Sequence, residues 1–136
     1  MEKILEDHAR WFATKGREGG RAVIRGVDLA HAVLRGVVLV EADLMGACLD
    51  NADLTGADLR GANLADASFK RARLPGANLE EADLMLADLR ECDLTGVRLG
   101  GAYLQGADFR GAQGMTPGQI AEAYLDEETR LPPGLS

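Results

Sequence analysis

The 136-residue chain has little aromatic content, 4% in all. Any core must therefore be filled by small and aliphatic side chains. Two cysteines, Cys48 and Cys92, are too few for a disulfide framework and too far apart for a zinc knuckle, so they are expected as reduced thiols. Only two serines, Ser68 and Ser136, and two histidines, His8 and His31, are present. No stretch approaches the roughly 20 apolar residues that span a bilayer. Met1–His8 carries acids and no apolar segment of the kind a secretory signal needs. Positive charge is in deficit, with 15 basic against 22 acidic residues and a net charge of −7, which argues against direct binding to a phosphate backbone. These absences predict a soluble cytoplasmic protein with neither membrane nor nucleic acid as a direct partner.

Glycine is abundant, 17 residues, and it falls in a pattern. From Ile24 to Phe109 an apolar residue recurs every five positions through 18 units, filled by 15 Leu, one Ile and two Phe, without an insertion. Two residues before it stands Ala in 14 units, with Val27, Val37, Cys92 and Val97 as the exceptions. The position between is usually polar and often Asp, as at Asp43, Asp58 and Asp83. The last position is Gly in ten units, so the unit reads A-[D/N]-L-x-G.

A period of five fits neither regular element. Five residues advance about 500° on an α-helix, which scatters the leucines around it. On a straight strand an odd period sends alternate leucines to opposite faces. A coil satisfies both constraints. A short A-x-L segment lies along one side, where residues two apart point the same way, and the remaining two residues turn a corner where Gly tolerates unusual backbone angles. Stacked coils then share hydrogen bonds at about 4.8 Å spacing around a dry aliphatic interior.

Eighteen A-[D/N]-L-x-x units over residues 22–111 resemble the pentapeptide-repeat family. The resemblance implies an all-β solenoid: a right-handed quadrilateral parallel β-helix with four units per coil. Eighteen units then make about 4.5 coils, with short α-helical caps expected at both ends. Three segments are expected: 1–20 as an N-terminal capping helix and turn, 21–112 as the β-helix, and 113–136 as a C-terminal capping helix and tail. Ile4, Leu5, His8, Trp11 and Phe12 share one face of the first helix, which reads as a lid on the first coil with His8 at its boundary. Thr116-Pro117-Gly118-Gln119 reads as a capping box opening a helix that carries Ile120 to Leu125.

Catalytic chemistry finds no footing. Ser68 and His31 are expected about 10 Å apart, too far for a nucleophile and its base. No His or Cys cluster has metal-ligand spacing, and Gly16–Gly20 lacks both the dinucleotide and the P-loop pattern. Folded four units to a coil, the columns Asp28-Cys48-Ser68-Asp88-Asp108 and Val33-Asp53-Arg73-Asp93 give no continuous carboxylate ladder. The expectation is a non-enzyme with no catalytic residue, metal or cofactor.

Two functional readings remain. The first is a protein-interaction or scaffolding module with a protein partner, a second copy of the chain being one such partner. The second, implied by the resemblance, is a DNA mimic that inhibits or protects a type II topoisomerase such as gyrase. The net charge suits a mimic, yet residues 21–112 hold 14 acids and 10 bases, a weak surplus. A contact surface is expected where the units centred on Ile24, Leu44, Leu64, Leu84 and Leu104 align. That face carries Met45, Met85, Leu86 and Tyr103, beside a basic stripe of Lys70, Arg71, Arg90 and Arg110. An apolar strip bordered by charge suits a contact, and Met an adaptable one.

Overall fold

The computed structural model describes residues 1–135. Helix α1, Glu2–Ala13, opens the chain, and helix α2, Pro117–Ala121, follows the repeats. Between them the backbone forms isolated parallel bridges rather than long strands. Within the repeats each bridge joins the central residue of one unit to the residue 20 positions later, as in Val23 with Asp43 and Asp28 with Cys48; the last two, Tyr103 with Tyr124 and Asp108 with Arg130, reach into the tail. A coil is therefore 20 residues, which is four units, and the square section is read directly from the pairing. An inner unit bonds both ways: Asp43 N–H donates to Ala22 O at 2.9 Å, and Leu44 N–H donates to Asn63 O at 2.8 Å. The solenoid thus has four sides, numbered here faces 1 to 4 and beginning with Val23, Asp28, Val33 and Val38.

The corners explain the last residue of the unit. Ala47 N–H closes a turn onto Leu44 O at 2.9 Å, and Gly46 sits inside it at φ 69°. Such a turn needs a left-handed residue at its third position. Glycine supplies it without steric cost, but eight units place another residue there at φ 58–64°, from His31 to Glu91. The Asp or Asn before the Leu closes a second, smaller ring. Asp83 Oδ1 accepts the Met85 N–H at 3.0 Å, and Asn78 Oδ1 accepts the Glu80 N–H at 3.0 Å. Short side chains with an acceptor oxygen two residues back are the ones that fit this turn.

The interior is dry and continuous. From Leu39 to Phe109 every residue of the five-residue slot is at most 2% exposed. Each such burial contributes about 1.5–3 kcal/mol, before the entropy of ordering the chain is subtracted.

The ends depart from expectation. In α1 only His8 is fully buried, while Ile4 is 39% and Phe12 38% exposed. The helix thus does not lay its whole apolar face on the first coil. Phe12 instead lies at the side, its ring 5.8 Å from the Arg60 guanidinium. Helix α2 has the expected capping box: Thr116 N–H donates to Gln119 Oε1 at 2.6 Å, and Gln119 N–H donates to Thr116 Oγ1 at 3.4 Å. It stops at Ala121, however, rather than running to Leu125. Leu104 N–H donates to Tyr124 O and Phe109 N–H to Arg130 O, so the tail extends the sheet instead of the helix. Open hydrogen-bonding groups on the last coil outcompete a weak helical preference.

Candidate functional site

Face 1 is made of two outward columns. One runs Val23, Asp43, Asn63, Asp83, Tyr103, Tyr124; the other runs Arg25, Met45, Ala65, Met85, Gln105. The four residues expected as a contact lie together on this face or its corner: Met45 is 37%, Met85 41%, Leu86 62% and Tyr103 44% exposed. Sequence reasoning missed two more, Val23 and Tyr124. Val23 stood in the expected column and was readable there. Tyr124 was not, because it enters the column only after the helix ends. Its ring stacks on Tyr103 with centroids 5.1 Å apart. Of the seven large apolar side chains exposed between residues 22 and 135, six lie here and Val33 alone lies elsewhere.

Leu86 occupies a corner position at φ 63°. A left-handed conformation costs a side-chain-bearing residue about 1–2 kcal/mol, and Leu has no polar group to offset it locally. Its side chain lies over the corner of the next coil, where a methyl added to Gly106 would come within 2.6 Å of Leu86 Cδ2.

The charges on face 1 are largely neutralised. Arg25 Nε donates to Asp43 Oδ2 at 2.7 Å, and Asp43 also accepts from the Met45 N–H and the Asn63 amide. Burial works against the Asp43 carboxylate, but Arg25 and the Met45 N–H together hold its pKa below the ordinary value. Near Tyr103, Gln105 carries the one buried side-chain oxygen that finds no donor among the described residues.

The basic stripe exists as a shallow groove on face 2, lined by Lys70, Arg71, Arg90 and Arg110 with Glu91. It is electrically paired. Arg90 meets Asp88 at 2.8 Å, Arg110 meets Asp108 at 2.7 Å, Arg71 meets Glu91 at 3.6 Å and Lys70 meets Asp50 at 3.9 Å.

Ser68, His8 and Cys92 are committed to the fold. Ser68 gives its hydroxyl to Asp50. Both His8 ring nitrogens bond backbone groups. Burial pushes the Cys92 thiol up to about 12, far from a reactive thiolate, and its Sγ bonds Phe69 O at 2.7 Å. Among the described residues no group of three or more His, Cys, Asp or Glu side chains could hold a metal ion, and no helix is long and apolar enough to cross a membrane.

The family profile described as Pentapeptide repeats matches in 8 copies, through overlapping stretches 22–61, 52–90, 62–101 and 82–113. The chain belongs to the pentapeptide-repeat family. Among solved structures, the pentapeptide repeat protein alr5209 from Nostoc Pcc 7120 is 28% identical, with TM-score 0.68 over 90% of this chain and 95% of its own. Rfr23 from the cyanobacterium Cyanothece 51142 is 21% identical, with TM-score 0.64 over 93% of this chain and 97% of its own, and it shares the fold. No curated protein matches the sequence. A family resting on a five-residue repeat accounts for the buried slot, the corner conformation and the Asp turn. It does not account for the apolar side chains of face 1, which point away from the core and vary freely within the motif.

Proposed function

We propose that this pentapeptide-repeat protein is a non-enzymatic interaction module of the cytosol that docks a protein through face 1. Its frame is a right-handed β-helix of about 4.5 coils, counting 18 units at four per coil. Its repeats span residues 21–112, flanked by segment 1–20 and by a tail from 113 that adds Tyr124 and Arg130 to the sheet. The observation that carries the reading is the gathering of Val23, Met45, Met85, Leu86, Tyr103 and Tyr124 on one of four sides. A strained, exposed Leu86 supports it, because an exposed left-handed corner is more stably filled by glycine.

A DNA mimic draws less support. Duplex-like potential needs unpaired negative charge, yet Asp58, Asp88 and Asp108 are each held by an Arg two residues on. Capture with a crosslinker from native cytosol tests the interaction reading, run on the wild type and on a double variant Met85→Lys, Leu86→Lys. Loss of the captured protein from a folded variant is expected; equal capture would contradict it. Gyrase supercoiling should be unchanged by the protein, and clear inhibition would favour the mimic.

A further inference from the structure

We propose that face 1 pairs with face 1 of a second copy, the two solenoids lying side by side and antiparallel. This rests on the reading of face 1 as a contact surface and names its occupant.

Three observations point to a second copy. The apolar side chains run from Val23 in the first coil to Tyr124 beyond the last, so the strip covers the full length of the rod. The face is six levels long, from the Val23 level to the Tyr124 level, about 24 Å at roughly 4.8 Å per coil. A flat face of that length is matched by another flat face of the same length.

The bulk on the strip is uneven. The first half is the slimmer, with Gly26, Gly46 and Ala65 beside Val23, Arg25 and Met45, while the second half carries Met85, Leu86, Tyr103 and Tyr124. Turning one copy end over end about an axis across the face sets each slim half against a bulky half. It also keeps the columns in line: Val23 comes opposite Tyr124, and Ala65 opposite Met85.

Charge selects the same orientation. Arg21 and Arg25 stand at the first-coil end, and Asp126, Glu127 and Glu128 at the other, all exposed. Among the described residues Arg21, Glu127 and Glu128 make no ion pair, and Asp126 bonds only backbone N–H groups and Thr129. The antiparallel pairing brings Arg25 of each copy, already bonded to Asp43 of its own chain, onto the Asp126 end of the other, twice by symmetry. A parallel pairing would set Arg beside Arg and acid beside acid, which is repulsive.

The test is sedimentation velocity on the full chain, with cysteine crosslinking in a Cys48→Ser background. A dimer is expected, and Met85→Lys should raise its dissociation constant at least about tenfold, as for a central contact. Mixed Val23→Cys and Tyr124→Cys chains should form a disulfide-linked pair that neither variant forms alone. Leu86→Gly should weaken the dimer while raising the melting temperature of the dilute monomer, a combination that a merely structural leucine would not give. A monomer at millimolar concentration, or self-linking by Val23→Cys alone, would overturn the antiparallel dimer and leave face 1 to a different protein. A dimer indifferent to both Met85→Lys and Leu86→Gly would overturn the contact reading as well.

Discussion

The His8 imidazole donates its Nε2–H to the Val40 carbonyl at 2.8 Å, 32 residues along the chain. Its Nδ1 accepts the Ala22 N–H, also at 2.8 Å. A backbone carbonyl on one side and a backbone N–H on the other fix the ring as one neutral tautomer. A single side chain thus fastens α1 to both the beginning and the end of the first coil.

That bond pattern has a pH dependence. Burial lowers the His8 pKa from 6.5; the Val40 bond and Glu41 oppose the shift, and Arg21 adds to it. The unfolded chain therefore binds a proton that the folded chain resists. Stability is whole above the unfolded value of 6.5 and is lost as pH falls toward the lower folded value. Acidification from neutral pH should loosen α1 first, seen as a change in the fluorescence of Trp11, whose ring lies 5.3 Å from His8. His8→Ala should abolish this transition and destabilise by about 1–3 kcal/mol, because two buried backbone groups lose their partner. An unchanged fluorescence titration in that variant would refute the latch.

Leu64 is fully buried at mid-solenoid. Leu64→Asp puts an unpaired carboxylate into the dry interior at a cost of several kcal/mol, a large share of a small domain's stability. Thermal melting of the variant should fall sharply or be absent. A folded variant with the wild-type melting temperature would show that the slot does not face inward.

Length should change in whole coils. Deleting residues 45–64 removes 20 residues and leaves every remaining column in register, so the product should fold with a similar circular dichroism spectrum. Deleting Met45 and Gly46 alone shifts all later leucines around the coil and should prevent folding. Equal behaviour of the two deletions would contradict the pairing.

The Asp of the unit acts through its acceptor oxygen more than its charge. Asp58→Asn should keep the turn onto the Arg60 N–H and lose only the exposed Arg60 pair, a change within about 1 kcal/mol. Asp58→Ala loses both and should cost more. Arg60 holds the Asp58 carboxyl below its ordinary value, against burial and with help from the Arg60 N–H. Its contribution is therefore present above the unfolded carboxylate range and lost as pH falls through the folded value. Urea unfolding at neutral and at acidic pH measures both effects.

Most of the fold was legible because each coil repeats one local solution. The period located the buried slot, and the columns drawn from it match the bridges, as Asp28-Cys48-Ser68-Asp88-Asp108 shows. What escaped depends on contacts between distant segments. His8 looked like a boundary residue, since nothing local says that Val40 O and Ala22 N–H flank it. The Ile120–Leu125 pattern looked helical, but the open last coil captured Tyr124. The role of Asp was within reach, because an acceptor two residues before the N–H it receives is visible in A-D-L-x. The repeat register placed Leu86 on the expected contact face; the structure adds that its corner position opposes it, with φ at 63°.

The most direct test places one charge change on each side of the solenoid in turn: Met85→Lys on face 1, Arg110→Glu on face 2, Val33→Lys on face 3 and Glu80→Lys on face 4. Each variant is then assayed for the association that the wild-type protein makes, by sedimentation and by crosslinked capture. Only Met85→Lys should lose it, while the other three stay folded and retain it. Loss on another face with face 1 indifferent would contradict the assignment of function to the Met85 side.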